Sequence, residues 1–272
     1  MMDLRAINQN RFDVAKNFWL ASVSLKFLMF SIGAVSIFVI NLSNYIPQIL
    51  LLLAVISEVL QWRSDIIKSK SESLLRKLDL CRSFQKEVSA TDKREIVLDI
   101  PRSIRAQFEN DIMSDTYFTN SEPPGPRKSI KNLIESAWYT RHQSGDMAIF
   151  CILLILFLVF VSIAALIVTS REIEEVNIRN NVSKVVTSWL LLVFSLGIFR
   201  NAWGYYKMYL RCQKTEDASE HLLRNDNILE ADAIKQWYEY QLARSSAPLL
   251  PNWLWSIRKS SLDDAWKRTS IE

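Results

Sequence analysis

Arg127, Lys128 and Lys131 open a helical stretch just after Gly125, at the end where exposed backbone N–H groups already carry partial positive charge. Helix starts ordinarily favour Asp and Glu, so three cations there suit an anion. Arg102 and Arg105 precede them, and Tyr117, Phe118, Trp138 and Tyr139 flank them. Cations that grip phosphates and rings that stack on bases are the ingredients of a nucleotide site. The same residues also read as a juxtamembrane patch on anionic lipid headgroups, with Trp138 and Tyr139 in a local core.

A second set lies in apolar sequence. Lys26 and Glu58 sit where a charge costs about 2.5 to 3.5 kcal/mol at a membrane helix centre. Counted outward from the connector Asn41 to Tyr45, their depths differ by about three residues, roughly 4.5 Å of helix rise. They either pair across the hairpin as a polar lining or gate, or snorkel separately to the nearby interface. Arg200 reads as an interface anchor.

Signatures of catalysis are missing. The chain has no Gly-rich phosphate loop, no His-Glu-x-x-His, no nucleophile elbow and no Cys-x-x-Cys, and His142 and His221 have no partners at catalytic spacing. Asp263 and Asp264 are adjacent and point apart on a helix, which reads as a solvated face. Cys81, Cys151 and Cys212 are too widely spaced for a disulfide framework or a metal knuckle. The expectation is a non-enzyme with no cofactor and no metal.

Four apolar stretches must position these residues: Trp19 to Ile40, Ile46 to Trp62, Met147 to Val168 and Val185 to Trp203. Each is long enough, or nearly so, to cross about 30 Å of hydrocarbon as a helix. Met147 to Val168 is the clearest, with no charge at all, and the second, with Pro47 and Glu58, is the shortest. Span one reads as a retained helix, because Met1 to Asn17 supplies no cleavage site after an apolar core.

Basic residues set the orientation. Arg5, Arg11 and Lys16, then Arg63, Lys68 and Lys70, then Lys207, Arg211 and Lys214 all flank one side. The connector Asn41 to Tyr45 is uncharged, and Thr169 to Asn181 carries Glu172, Glu174 and Glu175 against Arg171 and Arg179. Both termini and the middle segment are therefore expected in the cytoplasm, with Trp19, Trp62, Trp203, Tyr205 and Tyr206 at that interface. A net charge of +4 is explained by this bias and calls for no DNA or RNA partner.

The polar segments read as helical. Ile66, Ile67, Leu74, Leu75, Leu78 and Phe84 recur at helical spacing, so span two runs on as an amphipathic helix, with a break at Ser89 to Arg94. A shorter segment follows with Ile100, Ile104 and Phe108 on one face. Glu122 to Pro126 is a turn that launches a helix through Ile130, Leu133, Ala137 and Trp138. Tyr205 to Leu242 is mostly helical, and Pro248 to Trp255 ends it. With five glycines and no sustained two-residue alternation, the predicted fold is an all-α integral membrane protein with four transmembrane helices and helical cytoplasmic extensions. It divides into residues 1–62, a cytoplasmic helical region 63–146, a second hairpin 147–204 and a C-terminal helical region 205–272.

Tyr117-Phe118, then Pro123-Pro124-Gly125-Pro126-Arg127, then Asn132-Leu133-x-Glu135-Ser136-Ala137-Trp138-Tyr139 leading into an apolar helix resembles a bacterial family of four-transmembrane, pore-forming effectors associated with cyclic-oligonucleotide synthases. The tail Pro248-x-x-Pro251-x-Trp253, with Leu262 and Trp266, is similar to that family's ending, and with the two-plus-two spans the resemblance covers nearly the whole chain. It implies a multi-pass protein of the bacterial inner membrane acting in antiphage defence. A cyclic di- or oligonucleotide would activate it or hold it inactive, and a homo-oligomer would permeabilise the membrane and arrest or kill the cell. The chain carries no separately recognisable nucleotide-binding domain. A membrane-anchored scaffold, or a small ion channel without a nucleotide ligand, stands as the alternative.

Overall fold

The computed structural model describes residues 4–38, 45–86, 88–91, 94, 98, 118–172, 184–186, 189 and 196–269, and every regular element among them is helical. The long elements are α1 (Leu4–Phe38), α2 (Ile46–Phe84), α3 (Pro126–Glu172), α4 (Ile198–Leu223), α5 (Glu230–Ser246) and α6 (Asn252–Thr269). The predicted all-α class is what the chain adopts.

Local chemistry sets the ends. Pro47 falls in the first turn of α2, where its missing N–H has no intrahelical acceptor to lose. At the other end Gln85 takes the left-handed conformation, φ 52°. Lys86 N–H then reaches the Cys81 carbonyl at 2.9 Å and Gln85 N–H the Arg82 carbonyl at 3.4 Å, the paired bonds of a Schellman stop. This closes α2 at Phe84, ahead of the break expected at Ser89 to Arg94. Before α3, Gly125 has φ 152°, a conformation that a side chain would strain, and Pro126 follows at the first helical position. Pro251 precedes a new helix, so the tail expected to end the helical run at Pro248 to Trp255 instead starts α6 at Asn252.

Two compact units result. One comprises Met1–Val14, Ile66–Gly145 and Tyr205–Glu272, the other Ala15–Asp65 and Asp146–Gly204. The core of the first is built from Ile130, Leu133 and Ala137 of α3, Met208 and Cys212 of α4, and Ala233, Trp237, Tyr240 and Ala247 around α5. Its aromatic polar groups are satisfied on α3. Trp237 Nε1 donates to the Ser129 carbonyl at 3.0 Å, and the Tyr240 hydroxyl to the Ser136 carbonyl at 3.1 Å.

The second unit pairs α1 with α2 through small residues at heptad spacing. Ala15 and Ser22 on α1 and Ser57 and Ser64 on α2 are fully buried. Ser22 and Ser57 hydroxyls lie 3.1 Å apart, Ser57 also donates to the Ser22 carbonyl at 3.2 Å, and Ser64 donates to the Ala15 carbonyl at 2.7 Å. Small side chains let the backbones approach this closely, and the pairing is antiparallel because 15 meets 64 while 22 meets 57. Outside the seam the unit exposes large apolar side chains, Leu153, Phe157 and Phe160 of α3 among them.

Among the described residues, two helices are long and apolar enough to cross a membrane. Ala6–Ser36 within α1 reaches a mean hydropathy of 1.7 over its most apolar stretch and Pro126–Ile167 within α3 reaches 3.3. The expected second span, Ile46 to Trp62, is helical within α2. Most of the expected fourth, Val185 to Trp203, lies outside the described residues.

Replacing Trp237 by Ala is expected to lower unfolding stability by about 3 to 5 kcal/mol, through the cavity and the lost indole bond. Ile257→Ala, at an exposed site, should stay within about 0.5 kcal/mol. Ser57→Leu should overpack the seam and cost about 1 to 3 kcal/mol, whereas Ser57→Ala should be tolerated. Denaturant unfolding in detergent, followed by circular dichroism, checks all four.

Candidate functional site

The cations at the start of α3 are not bare. Glu122 reaches back from the turn, its Oε1 2.5 Å from Lys131 Nζ and 4.0 Å from Arg127 Nε. The Lys131 hydrogen bond and charge hold the Glu122 carboxyl below its ordinary value. A side chain of this protein therefore occupies the position where sequence reasoning expected an anion. Arg127 also extends to the Leu223 carbonyl, 3.5 Å from Nη1. Lys128 is half-buried on the same turn.

The turn itself is pinned on three sides. Gly125 N–H donates to the Ser83 carbonyl at 3.0 Å, and Asn132 Nδ2 to Ser83 Oγ at 3.3 Å, tying it to the end of α2. Asn120 Nδ2 donates to Asn132 Oδ1, and Asn120 Oδ1 accepts from Glu122 N–H at 3.2 Å. Glu135 accepts both the backbone N–H and the hydroxyl of Thr119, each at 3.0 Å through Oε2. Burial nevertheless wins and pushes the Glu135 carboxyl up. Trp266 Nε1 closes the set by donating to Thr119 Oγ1 at 2.9 Å.

Trp138 and Tyr139 face α6. Trp138 packs against Trp266, with centroids 5.3 Å apart, and against His142 at 4.5 Å. Tyr139 packs against Trp255 at 5.9 Å and donates its hydroxyl to Asp263 at 2.9 Å. These rings form an aromatic cluster that binds the C-terminal helix to α3, which is the local-core reading of the two residues. Arg102, Arg105 and Tyr117 lie outside the described residues. The structure thus brings together Arg127, Lys131 and Glu122 at one place, and Trp138 and Tyr139 with α6 at another.

Lys26 and Glu58 do meet. Nζ and Oε1 are 2.9 Å apart, and the pair is asymmetric: the Lys26 side chain is 12% exposed and that of Glu58 70%. The two side chains thus form an ion pair across the hairpin.

Sequence reasoning missed a set of buried charges. Arg141 of α3 pairs with Glu216 of α4 at 2.9 Å, Arg244 of α5 with Glu72 of α2 at 3.4 Å, and Gln241 donates to Asp79 at 3.3 Å. All three carboxylates are buried. Glu216 Oε1 has no hydrogen-bond partner among the described residues. Burial, with Asp217 and Glu220 adding repulsion, outweighs Arg141 and pushes the Glu216 carboxyl up to about 7. Each residue reads from sequence as a solvated helix face, and only the packing of α3 on α4 and of α5 on α2 turns them inward. Burial likewise raises the Cys212 thiol, which suits a core side chain and not a nucleophile. No group of three or more metal-ligating side chains occurs among the described residues.

Comparison with protein-family models, with curated proteins and with solved structures finds no match for this chain.

Glu216 generates a pH prediction. Its folded value lies above the ordinary 4.5, so the folded state holds the proton more tightly and stability is greatest below about 4.5, falling as pH rises toward 7. Glu216→Gln should flatten that part of the stability profile. Denaturant midpoints measured at half-unit steps from pH 4.5 to 7.5 check it, and an unchanged slope in the variant would exclude Glu216 as its source.

Proposed function

We propose that this protein is a four-span effector of the bacterial inner membrane, both termini cytoplasmic, controlled by a cyclic oligonucleotide and acting in antiphage defence. Copies assemble to permeabilise the membrane and arrest or kill the cell. The observation that carries the reading is α3. One uninterrupted helix of 47 residues supplies Ile130, Leu133 and Ala137 to a polar-surfaced helical core and then runs through Met147 to Val168, the most apolar stretch of the chain. An element shared in this way lets an event at the Arg127 to Lys131 end bias the membrane-embedded half, provided that the ligand binds one arrangement better than the other. The resemblance in the Pro123 to Tyr139 run and in the tail supplies the class of ligand.

Glu122 gives the site a way to respond. A phosphodiester can take the place of the carboxylate on Lys131 and Arg127 with charge-assisted bonds of its own, and its arrival would release a turn now tied to α2, α3 and α6. Four packed helices enclose no aqueous lumen, so permeabilisation requires several copies. A membrane-anchored scaffold is the second reading, and the engagement of Trp138 and Tyr139 with Trp266 and Trp255 favours it, since those rings then have a structural task.

Nucleotide binding to the detergent-solubilised full chain, with a panel of cyclic di- and trinucleotides, tests the choice. Selective binding is expected, weakened at least tenfold, about 1.4 kcal/mol, by Lys128→Glu. Glu122→Gln is expected to tighten it by removing the internal competitor. Folded protein that binds none of the panel would favour the scaffold.

A further inference from the structure

The outward face of α2 carries a pattern that its pairing with α1 leaves unexplained. Leu51, Val55, Glu58, Trp62 and Asp65 follow one another at four- and three-residue steps, so they share one face, and all five are exposed. Glu58 lies in a shallow groove between Val55, Val59 and Trp62. Asp65 stands two turns further on, about 10.5 Å along the axis, and accepts a hydrogen bond from Gln61. The stripe bears two carboxylates and no cation of its own: Lys26 belongs to α1 and is largely covered, and Arg63 lies roughly 140° around the helix from Glu58.

That asymmetry is informative. Had the Lys26–Glu58 pair existed only to neutralise two charges between helices, both side chains would be covered. Instead the cation is covered and the anion projects. Glu58 lies one turn inside Trp62, the expected interface residue, and ionisable groups in spans face other protein or a water-filled path. Covered Lys26 sits behind Glu58 without presenting its own charge to whatever lies in front.

We infer that the Glu58 stripe of α2 lines a water-filled path between copies of this chain, and that Glu58 makes the path prefer cations. Repeated around an assembly, one Glu58 per copy forms a ring of carboxylates, an arrangement that favours cations over anions. Asp65 provides a second, weaker ring two turns away. This inference rests on the pore-forming reading above and adds to it the lining helix, the selecting residue and the class of ion.

Full-length protein in planar bilayers under a potassium chloride gradient tests it, with each cyclic di- and trinucleotide and without any. The wild type should conduct with a reversal potential on the cation side. Glu58→Gln should reduce the cation-to-anion permeability ratio several-fold while conductance persists, Glu58→Lys should shift the preference toward anions, and Asp65→Asn should produce a smaller change. Because Glu58→Gln leaves Lys26 without its carboxylate, the double variant Lys26→Met with Glu58→Gln is measured beside it and should show the same reduced ratio. A conducting wild type whose selectivity is anionic, or is unmoved by every Glu58 variant, overturns this inference and leaves the pore reading standing. No conductance under any condition overturns the pore reading itself.

Discussion

The Trp237 indole bond to the Ser129 carbonyl fixes where α5 crosses the first turn of α3, and the first unit is arranged around that crossing. An indole buried without an acceptor costs about 1 to 3 kcal/mol, so α5 is held to a register in which Trp237 finds one. Tyr240 repeats the arrangement one turn on, at the Ser136 carbonyl and the Thr140 hydroxyl. With both rings seated, Ile130, Leu133 and Ala137 are covered, and the opposite flank of the same helix is free to carry Trp138 and Tyr139 to α6. The turn before α3 inherits its position from this: Gly125 is tied to Ser83, and Glu122 then falls within reach of Lys131.

In the second unit the controlling feature is the absence of bulk. Ala15, Ser22, Ser57 and Ser64 bring α1 and α2 together by what they lack, and their hydroxyls are satisfied within the pair, which matters where water is excluded. Close packing on that seam turns the larger side chains outward, Leu51, Val55 and Trp62 among them. It also sets the depth at which Lys26 meets Glu58. A looser pair built on Leu would separate the axes and lengthen the ion pair, so the small seam and the charge pair are one device.

How much of this could be read from residues depended on whether the signal was local. The all-α class, the long apolar helices α1 and α3, the turn at Glu122 to Pro126 and the helix after it follow from composition and spacing that are visible within a few turns. The depth match of Lys26 and Glu58 was legible because a short connector makes counting reliable. The seam was not, since a serine reads as polar wherever it stands, and only the partner helix reveals that Ser57 and Ser64 face inward. The stop at Gln85 was missed because a left-handed glutamine leaves no mark that a glycine would. At the candidate site the cations were legible and their occupant was not. In sequence Glu122 reads as part of a turn signal, although an acidic residue a few positions before a basic helix start is positioned to cap it.

Buried charges in the first unit carry a further consequence for any motion of α3. Desolvation makes such pairs weak contributors to stability, yet stranding one partner costs about 3 to 5 kcal/mol. Arg141 on Glu216 and Arg244 on Glu72 therefore act as selectors of register for α3 against α4 and for α5 against α2. A gradual slide of α3 would leave Arg141 and Glu216 apart in a medium that penalises both charges. Movement by a fraction of a turn is disfavoured, and the accessible alternatives are arrangements in which each cation again has an acceptor. For the proposed effector this converts ligand binding at Arg127 and Lys131 into a choice between discrete packings. For Glu216 burial outweighs the attraction of Arg141, so the Arg141 contact fixes where α3 meets α4 and adds little net stability.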